Sequence, residues 1–307
     1  MRRAAQRAER VAAGLAELQT WLRDQVTAGL TAAPPGGRPA AALAARMVDA
    51  QAPGVAAVLR RLADLPASGP GWPGRLLAEY GLLHMLATAH SRLAELPGGL
   101  AAVVRSRVGY TTARADVLAR PPVTDRWHIL AVRDLPDDPV PARRIWLRGS
   151  GTGRFASLVL FAPNGIFRDY ANAALTPGSQ VHADLHFYPG QPPLRALTGT
   201  RRAAPGPAPA PPPAGDAAAL LTQWAAALAQ DPWLTAWPAL LSGTVTLTGD
   251  HWHLVDHEGT GVPLLDEGGL WPLLAVSAGT PVTVAGEWTP DGLLPLTVWH
   301  RNQAVAL

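Results

Sequence analysis

The amino-acid sequence predicts a multidomain α+β protein. An N-terminal all-α helical bundle covers 1–122, and two small antiparallel β modules cover 123–202 and 216–307, joined by a Pro/Ala linker at 203–215. Three observations predict this. Apolar residues recur at helical spacing through the first third of the chain. After Pro121-Pro122 the texture changes to short runs rich in β-branched and aromatic residues, each bounded by Gly, Pro or Asp. Within that later part, two stretches align with one another.

The first helix spans 4–30. Val11, Leu15, Leu18, Leu22 and Val26 are spaced by three or four residues and share one face, with Arg3, Arg7 and Arg10 as a basic row upstream. Ala-Pro-Pro-Gly-Gly at 33–37 ends it. Further helices are predicted over 39–51, 55–65, 75–96 and 100–108, with Ser68–Gly74 as a loop. The fourth places Leu76, Tyr80, Leu83, Ala87 and Leu93 near one face, and Pro97-Gly98-Gly99 stops it.

Strands are predicted at 126–132, 143–149, 156–162 and 180–188. After the linker comes a helix at 217–230, then strands at 244–249, 251–256, 280–288 and 295–300. In 180–188, Val181, Ala183, Leu185 and Phe187 alternate with His182, Asp184 and His186, the pattern of a half-buried strand. The segment 178–194 aligns with 279–296: Gly178 falls on Gly279, Val181 on Val282, Phe187 on Trp288 and Pro189 on Pro290. Upstream, Trp146 precedes Gly151-Thr152-Gly153 as Trp252 precedes Gly259-Thr260-Gly261. A tandem repeat is the reading, with the five-stranded oligonucleotide/oligosaccharide-binding (OB) barrel as its candidate architecture. The competing reading is two generic hairpins, because Gly-Thr-Gly turns are common.

The chain has no cysteine, which excludes disulfides, thiol nucleophiles and every Cys-ligated metal site. All 26 basic residues are arginine, a bias expected of a GC-rich bacterial genome. No apolar run reaches the ~18 residues of a membrane span, and no export signal follows the opening arginines, so a cytoplasmic protein is expected. Charge is unevenly spread. Residues 1–122 are net +7, 123–202 net +4 and 203–307 net −8. That split predicts that the acidic C-terminal module docks on the basic part of its own chain or on a basic partner. The linker is expected to be a semi-rigid, polyproline-like spacer.

Candidate chemistry is sparse. Gly149-Ser150-Gly151-Thr152-Gly153-Arg154 looks like a phosphate cradle but lacks the lysine and the following helix, so a hairpin turn is expected. His251 and His253 share a strand face with His257 nearby, a candidate zinc site; the alternative is a solvated face opposite Trp252 and Leu254. His182, Asp184 and His186 form a second such set, whereas His84 and His90 do not share a ligand face. Arg143, Arg144, Arg148 and Arg154 fall within twelve residues, a candidate nucleic-acid contact set set against a solvated basic face. The many tryptophans read as core. No paired carboxylates and no Gly-x-Ser-x-Gly elbow are found, so an enzyme is not expected.

The segments RRAAQRAERVAAGLAELQTWLRDQVTAGL, LAARMVDAQAPGVAAVLRRLADLP, GWPGRLLAEYGLLHMLATAHSRLAELP, VHADLHFYPGQPPLRAL and ALAQDPWLTAWPALL together resemble the region after the zinc finger in SWIM zinc-finger family proteins of actinobacterial type. In that family a SWIM module, Cys-x-Cys followed by Cys-x-His, precedes an Arg/Ala-rich helical tether. The resemblance implies that the opening residues are the end of that tether. With no cysteine here, zinc is expected only if a SWIM module lies upstream of Met1, and no cofactor is expected in this chain. Family members look like non-catalytic components encoded near MoxR-type ATPases and von Willebrand-A-domain proteins. The resemblance therefore implies an adaptor with protein partners, a MoxR-type ATPase among them.

Overall fold

A computed structural model describes residues 2–30, 38–135 and 140–307; the breaker at 33–37 and the side chain of Arg3 lie outside the described residues. The chain forms two compact units. One comprises Met1–Thr112 with Pro189–Gln191 and Asp231–Trp233; the other comprises Ala113–Tyr188, Pro192–Gln230 and Leu234–Leu307.

The first unit is helical: α1 (Arg2–Ala28), α2 (Arg38–Asp49), α3 (Pro53–Leu62), α4 (Trp72–Ser91) and α5 (Gly98–Val108). Val11, Leu15, Leu18 and Leu22 of α1 are buried as the spacing predicts, but Val26 is 50% exposed, because the apolar stripe ends one turn before the helix does. These residues pack with Leu43, Met47, Val55, Leu59, Leu76, Tyr80, Leu83 and Val104 into one core. Each fully buried Leu or Val there contributes about 1.5–3 kcal/mol. Helix α4 starts earlier than expected, at Trp72, because Pro73 suits a first helical turn, where its missing N–H costs nothing. Trp233, from a segment distant in sequence, donates its indole N–H to the Leu82 carbonyl at 2.9 Å and packs on this core.

The second unit begins with α6 (Arg114–Leu118), so the boundary lies near residue 112 rather than 122. Its first sheet contains β1 (Val123–Leu135), β2 (Ala142–Gly149), β3 (Phe155–Phe161), β4 (Ser179–Phe187) and β5 (Ala196–Arg201), with β6 (Gly206–Pro207) beside β4 and α7 (Tyr170–Ala173) between β3 and β4. After α8 (Ala217–Leu228) come β7 (Trp237–Thr248), β8 (His251–Val255), β9 (Gly261–Pro263), α9 (Leu270–Ser277), β10 (Val282–Thr289), β11 (Gly292–His300) and β12 (Gln303–Ala306).

The strand orders settle the repeat. The first sheet runs β3-β2-β1-β4-β5 and the second β9-β8-β7-β10-β11, with β12 added outside. Numbered within each module, both are 3-2-1-4-5, with a helix between the third and fourth strands. In each, the third strand also meets the fifth in parallel, through Ser157–Arg195 in one and Leu264–Leu293 in the other. That is the connectivity of a five-stranded OB barrel. The aligned residues occupy equivalent places. Gly178 and Gly279 adopt φ of +79° and +75° just before the fourth strands, a conformation that favours glycine. Val181 and Val282 are buried, as are Phe187 and Trp288.

The modules are not separated by a spacer. Leu130, Ala131 and Trp146 of the first share a buried cluster with Leu240, Ala285 and Trp299 of the second. The Pro/Ala segment is laid along both. Gly206–Pro207 pairs with Ser179–Gln180, Ala208 N–H donates to Gly178 O, Gly215 N–H donates to Leu240 O, and Pro213 O accepts from Arg148. Prolines remove donors from this segment but leave its carbonyls free to accept, so it can edge a sheet without continuing one.

Candidate functional site

Strand β2 alternates, and alternation divides the arginine cluster. Arg143 points away from Arg144 and Arg148. It clasps its cross-strand neighbour Asp134 through Nε at 2.7 Å and Nη2 at 2.8 Å, donates to Ala173 O at 3.1 Å and lies over the Phe167 ring. This clasp holds the Asp134 carboxyl below its ordinary range. Arg144 donates to Glu287 Oε1 at 3.0 Å. Arg148 donates to Pro213 O and stacks near Phe155, and burial pushes its guanidinium below the usual arginine value. Arg154 lies over Phe187. The four are therefore not one basic face. Three are hydrogen-bonded within the unit, and sequence proximity had grouped residues that the pleat separates.

The histidines are not gathered either. His253 Nδ1 lies 3.1 Å from the backbone oxygen of His251, and His257 Nε2 lies 3.2 Å from Glu258, both rings turned to local partners. Among the described residues no three His, Asp or Glu side chains converge to hold a metal ion, which removes His251, His253 and His257 as a ligand set, and His182, Asp184 and His186 with them. Asp184 is instead taken by Arg202, through Nε and Nη2 at 2.9 Å each, and by the Thr124 hydroxyl.

The glycine-rich loop is a hairpin turn whose amides already hold an anion. Asp125 accepts from Gly151 N–H at 3.0 Å, from Thr152 N–H at 2.9 Å and from Thr152 Oγ1 at 2.7 Å. The second module repeats the device with Asp256, which accepts from Glu258 N–H, Thr260 N–H and Ala217 N–H. Burial would raise the Asp125 carboxyl, but these donors outweigh it and the group titrates below its usual value. Asp125→Ala is expected to cost about 1–3 kcal/mol, since it strands several donors at once. Urea unfolding at neutral pH reads this directly, and an unchanged midpoint would show that the loop holds itself.

The charge centre of the unit is Glu287, fully buried at 0% exposure. It accepts from Arg133 Nη1 at 2.5 Å, Arg144 Nη1 at 3.0 Å and Trp146 Nε1 at 2.8 Å, all from the first module. Arg133 also reaches Glu267 at 2.8 Å. Acids of the C-terminal module thus dock on arginines of the preceding one, as the charge split predicted.

The opening with the right features for a partner lies elsewhere on the first barrel. A cavity of about 220 Å³ sits between β3, β5 and the chain around α7. Leu158, Leu160 and Ala196 give it an apolar wall, and Arg114, Arg168 and Phe161 stand at its rim. Asn172, buried, fixes its polar side. Asn172 accepts from Arg201 Nη2 at 2.6 Å and from the Thr198 hydroxyl at 3.2 Å, and donates to Asp169 Oδ2 at 2.7 Å. Arg195 stacks on Tyr188 at 4.4 Å and stands 6.0 Å from Phe161. Phe161, Ile166 and Tyr170 are 49, 57 and 70% exposed. Among the described residues no ion pair engages Arg114, Arg168 or Arg195. The lining thus combines apolar side chains with two arginines and the Asp169 carboxylate. No motif marks these residues in the sequence; the one local signal is apolar side chains interleaved with turn residues in FAPNGIFRDY.

The first unit has known relatives. Residues 6–108 match the family model of the SWIM-associated four-helix bundle domain. The match runs from within α1 to the end of α5, inside the region that the resemblance covered. No curated protein and no solved structure matches the chain. In the helices described, none is long and apolar enough to cross a membrane.

Proposed function

We propose that this protein is a non-catalytic adaptor: a SWIM-associated bundle attached to a double OB-like unit that docks a protein partner at the arginine-rimmed cavity. The observation that carries the reading is that cavity, with half-exposed Phe161 beside Arg114 and Arg168 in its lining. Exposed apolar groups rimmed by charge mark interaction sites. The setting we propose is bacterial and cytoplasmic, with a MoxR-type ATPase and a von Willebrand-A-domain protein as the system served. Zinc belongs to a SWIM module and not to this chain, which has no cysteine. Sedimentation of the purified chain with a purified MoxR-type ATPase tests the proposal. A complex is expected, weakened at least tenfold by Arg168→Glu; no complex at low salt overturns it.

A second reading is favoured by the same aromatics: Phe161 and Tyr170 can stack bases while the arginines take phosphates. An oligo(dT) titration decides between the two. Phosphate contacts would give binding that falls steeply with salt, whereas the adaptor reading expects no binding at physiological salt.

A further inference from the structure

The second module carries a feature that complements the cavity on the first. Trp271, in the first turn of α9, is 72% exposed, while its helix neighbours Leu270 and Leu273 are buried. It ends the segment Asp266-Glu267-Gly268-Gly269-Leu270-Trp271, whose charged residues are both acidic; Glu267 is held by Arg133, and Asp266 has no arginine partner among the described residues. The cavity offers the converse: apolar Leu158, Leu160 and Ala196 together with the guanidiniums of Arg114 and Arg168. Its volume of about 220 Å³ exceeds the ~150 Å³ of a cavity known to take benzene. An indole ring therefore has room. Asp169 on the wall has carboxylate lone pairs beyond those used by Asn172, so an indole N–H entering there finds an acceptor.

We infer that a second copy of this chain is an occupant of the cavity: Trp271 of one copy inserts into the Arg114–Arg168 cavity of the next. The inference rests on reading the cavity as a protein-docking site and adds a partner to it. Plug and socket are different patches, so the contact is heterologous. Each copy added leaves one free plug and one free socket, and open chains grow. With one aromatic anchor and screened charges, assembly depends on concentration and weakens with salt. Such assembly would also compete with other acidic ligands of the same cavity.

Sedimentation of the full chain tests this. At low salt the average mass is expected to rise with concentration above that of the monomer, and to return to monomer at high salt. Trp271→Ser, and separately Arg114→Glu with Arg168→Glu, should each abolish the rise. Mixed together, the two variants should form a one-to-one dimer that grows no further, because one supplies only the socket and the other only the plug. That dimer also shows that both variants are folded. A chain that stays monomeric at low salt, or assembly unchanged by Trp271→Ser, overturns the inference. The ATPase measurement is separate, so either failure leaves the adaptor reading to its own test. Binding of oligo(dT) in the cavity, with no self-assembly, overturns both.

Discussion

Glu287→Ala is expected to destabilise the second unit by about 3–5 kcal/mol, the usual result of removing one partner from a buried ion pair. The carboxylate is fully enclosed, and Arg133, Arg144 and the Trp146 indole all donate to it. Its removal leaves two guanidiniums, each still about a quarter exposed, facing a vacated site between the barrels. Arg144→Ala should cost less, because Arg133 and Trp146 still hold the carboxylate. A double-mutant cycle should return a coupling well above that of a surface pair, which is worth about 1 kcal/mol or less. The pH dependence follows from the same geometry. Burial pushes the Glu287 carboxyl up, but Arg144, Trp146 and Arg133 together pull it below its ordinary value of 4.5. A depressed carboxylate contributes stability that is complete above its unfolded pKa and is lost as pH falls through the folded one. The wild type should therefore lose urea resistance below about pH 4.5, and Glu287→Gln should show a shallower acid limb. Identical acid limbs for the two proteins would mean that the cluster does not hold the barrels together.

How much of this could be read in advance follows from the range of each interaction. The stripe Val11, Leu15, Leu18, Leu22 is local, so α1 and its buried face were legible. The period-2 pattern of 180–188 was equally so, and the paired glycines at 178 and 279 pointed to the repeat. Strand β7 was recognised only in its second half, because Pro238 reads as a breaker; it is tolerated opposite Glu287, within an otherwise paired strand. Strands β9 and β12 span three and four residues and gave no periodicity to find. The arginine cluster failed as a single site for a different reason. Arg143 has its partner nine residues away, but Arg144 finds Glu287 across 143 residues, and no local pattern predicts that. The cavity is likewise assembled from α6, β3, β5 and the chain around α7, so its residues are contiguous only after folding.

Gly54→Val is expected to be among the most disruptive single substitutions in the helical unit. Gly54 is the second residue of α3 and lies against the last turn of α5. A Cβ placed there would stand 2.1 Å from the Arg107 carbonyl oxygen and 3.0 Å from the Val108 carbonyl carbon. Both are backbone, so neither can rotate away. The end of α5 is itself fixed. Gly109, at φ +114°, lets its own N–H donate to Ser106 O and the Tyr110 N–H to Arg105 O, the two hydrogen bonds of a Schellman cap. The approach is close at Gly109 too, where a Cβ would meet Pro53 at 2.7 Å. Arg7 adds a third tie, donating to Gly109 O at 3.2 Å and lying over the Tyr110 ring. Overpacking typically costs about 1–3 kcal/mol, and with the capped end of α5 backbone-to-backbone against α3, Gly54→Val should reach the top of that range or pass it. Gly54→Ala should already be clearly destabilising. Gly81, in the middle of α4, supplies the control: nothing lies within 4 Å of its Cβ position. Gly81→Ala should stabilise the unit by about 0.5–1 kcal/mol through helix propensity alone. Urea unfolding monitored by helical circular dichroism compares the three variants. The same chemical change, Gly to Ala, should move the midpoint in opposite directions at the two sites; movement in the same direction would mean that α3 and α5 do not approach as closely as their glycines require.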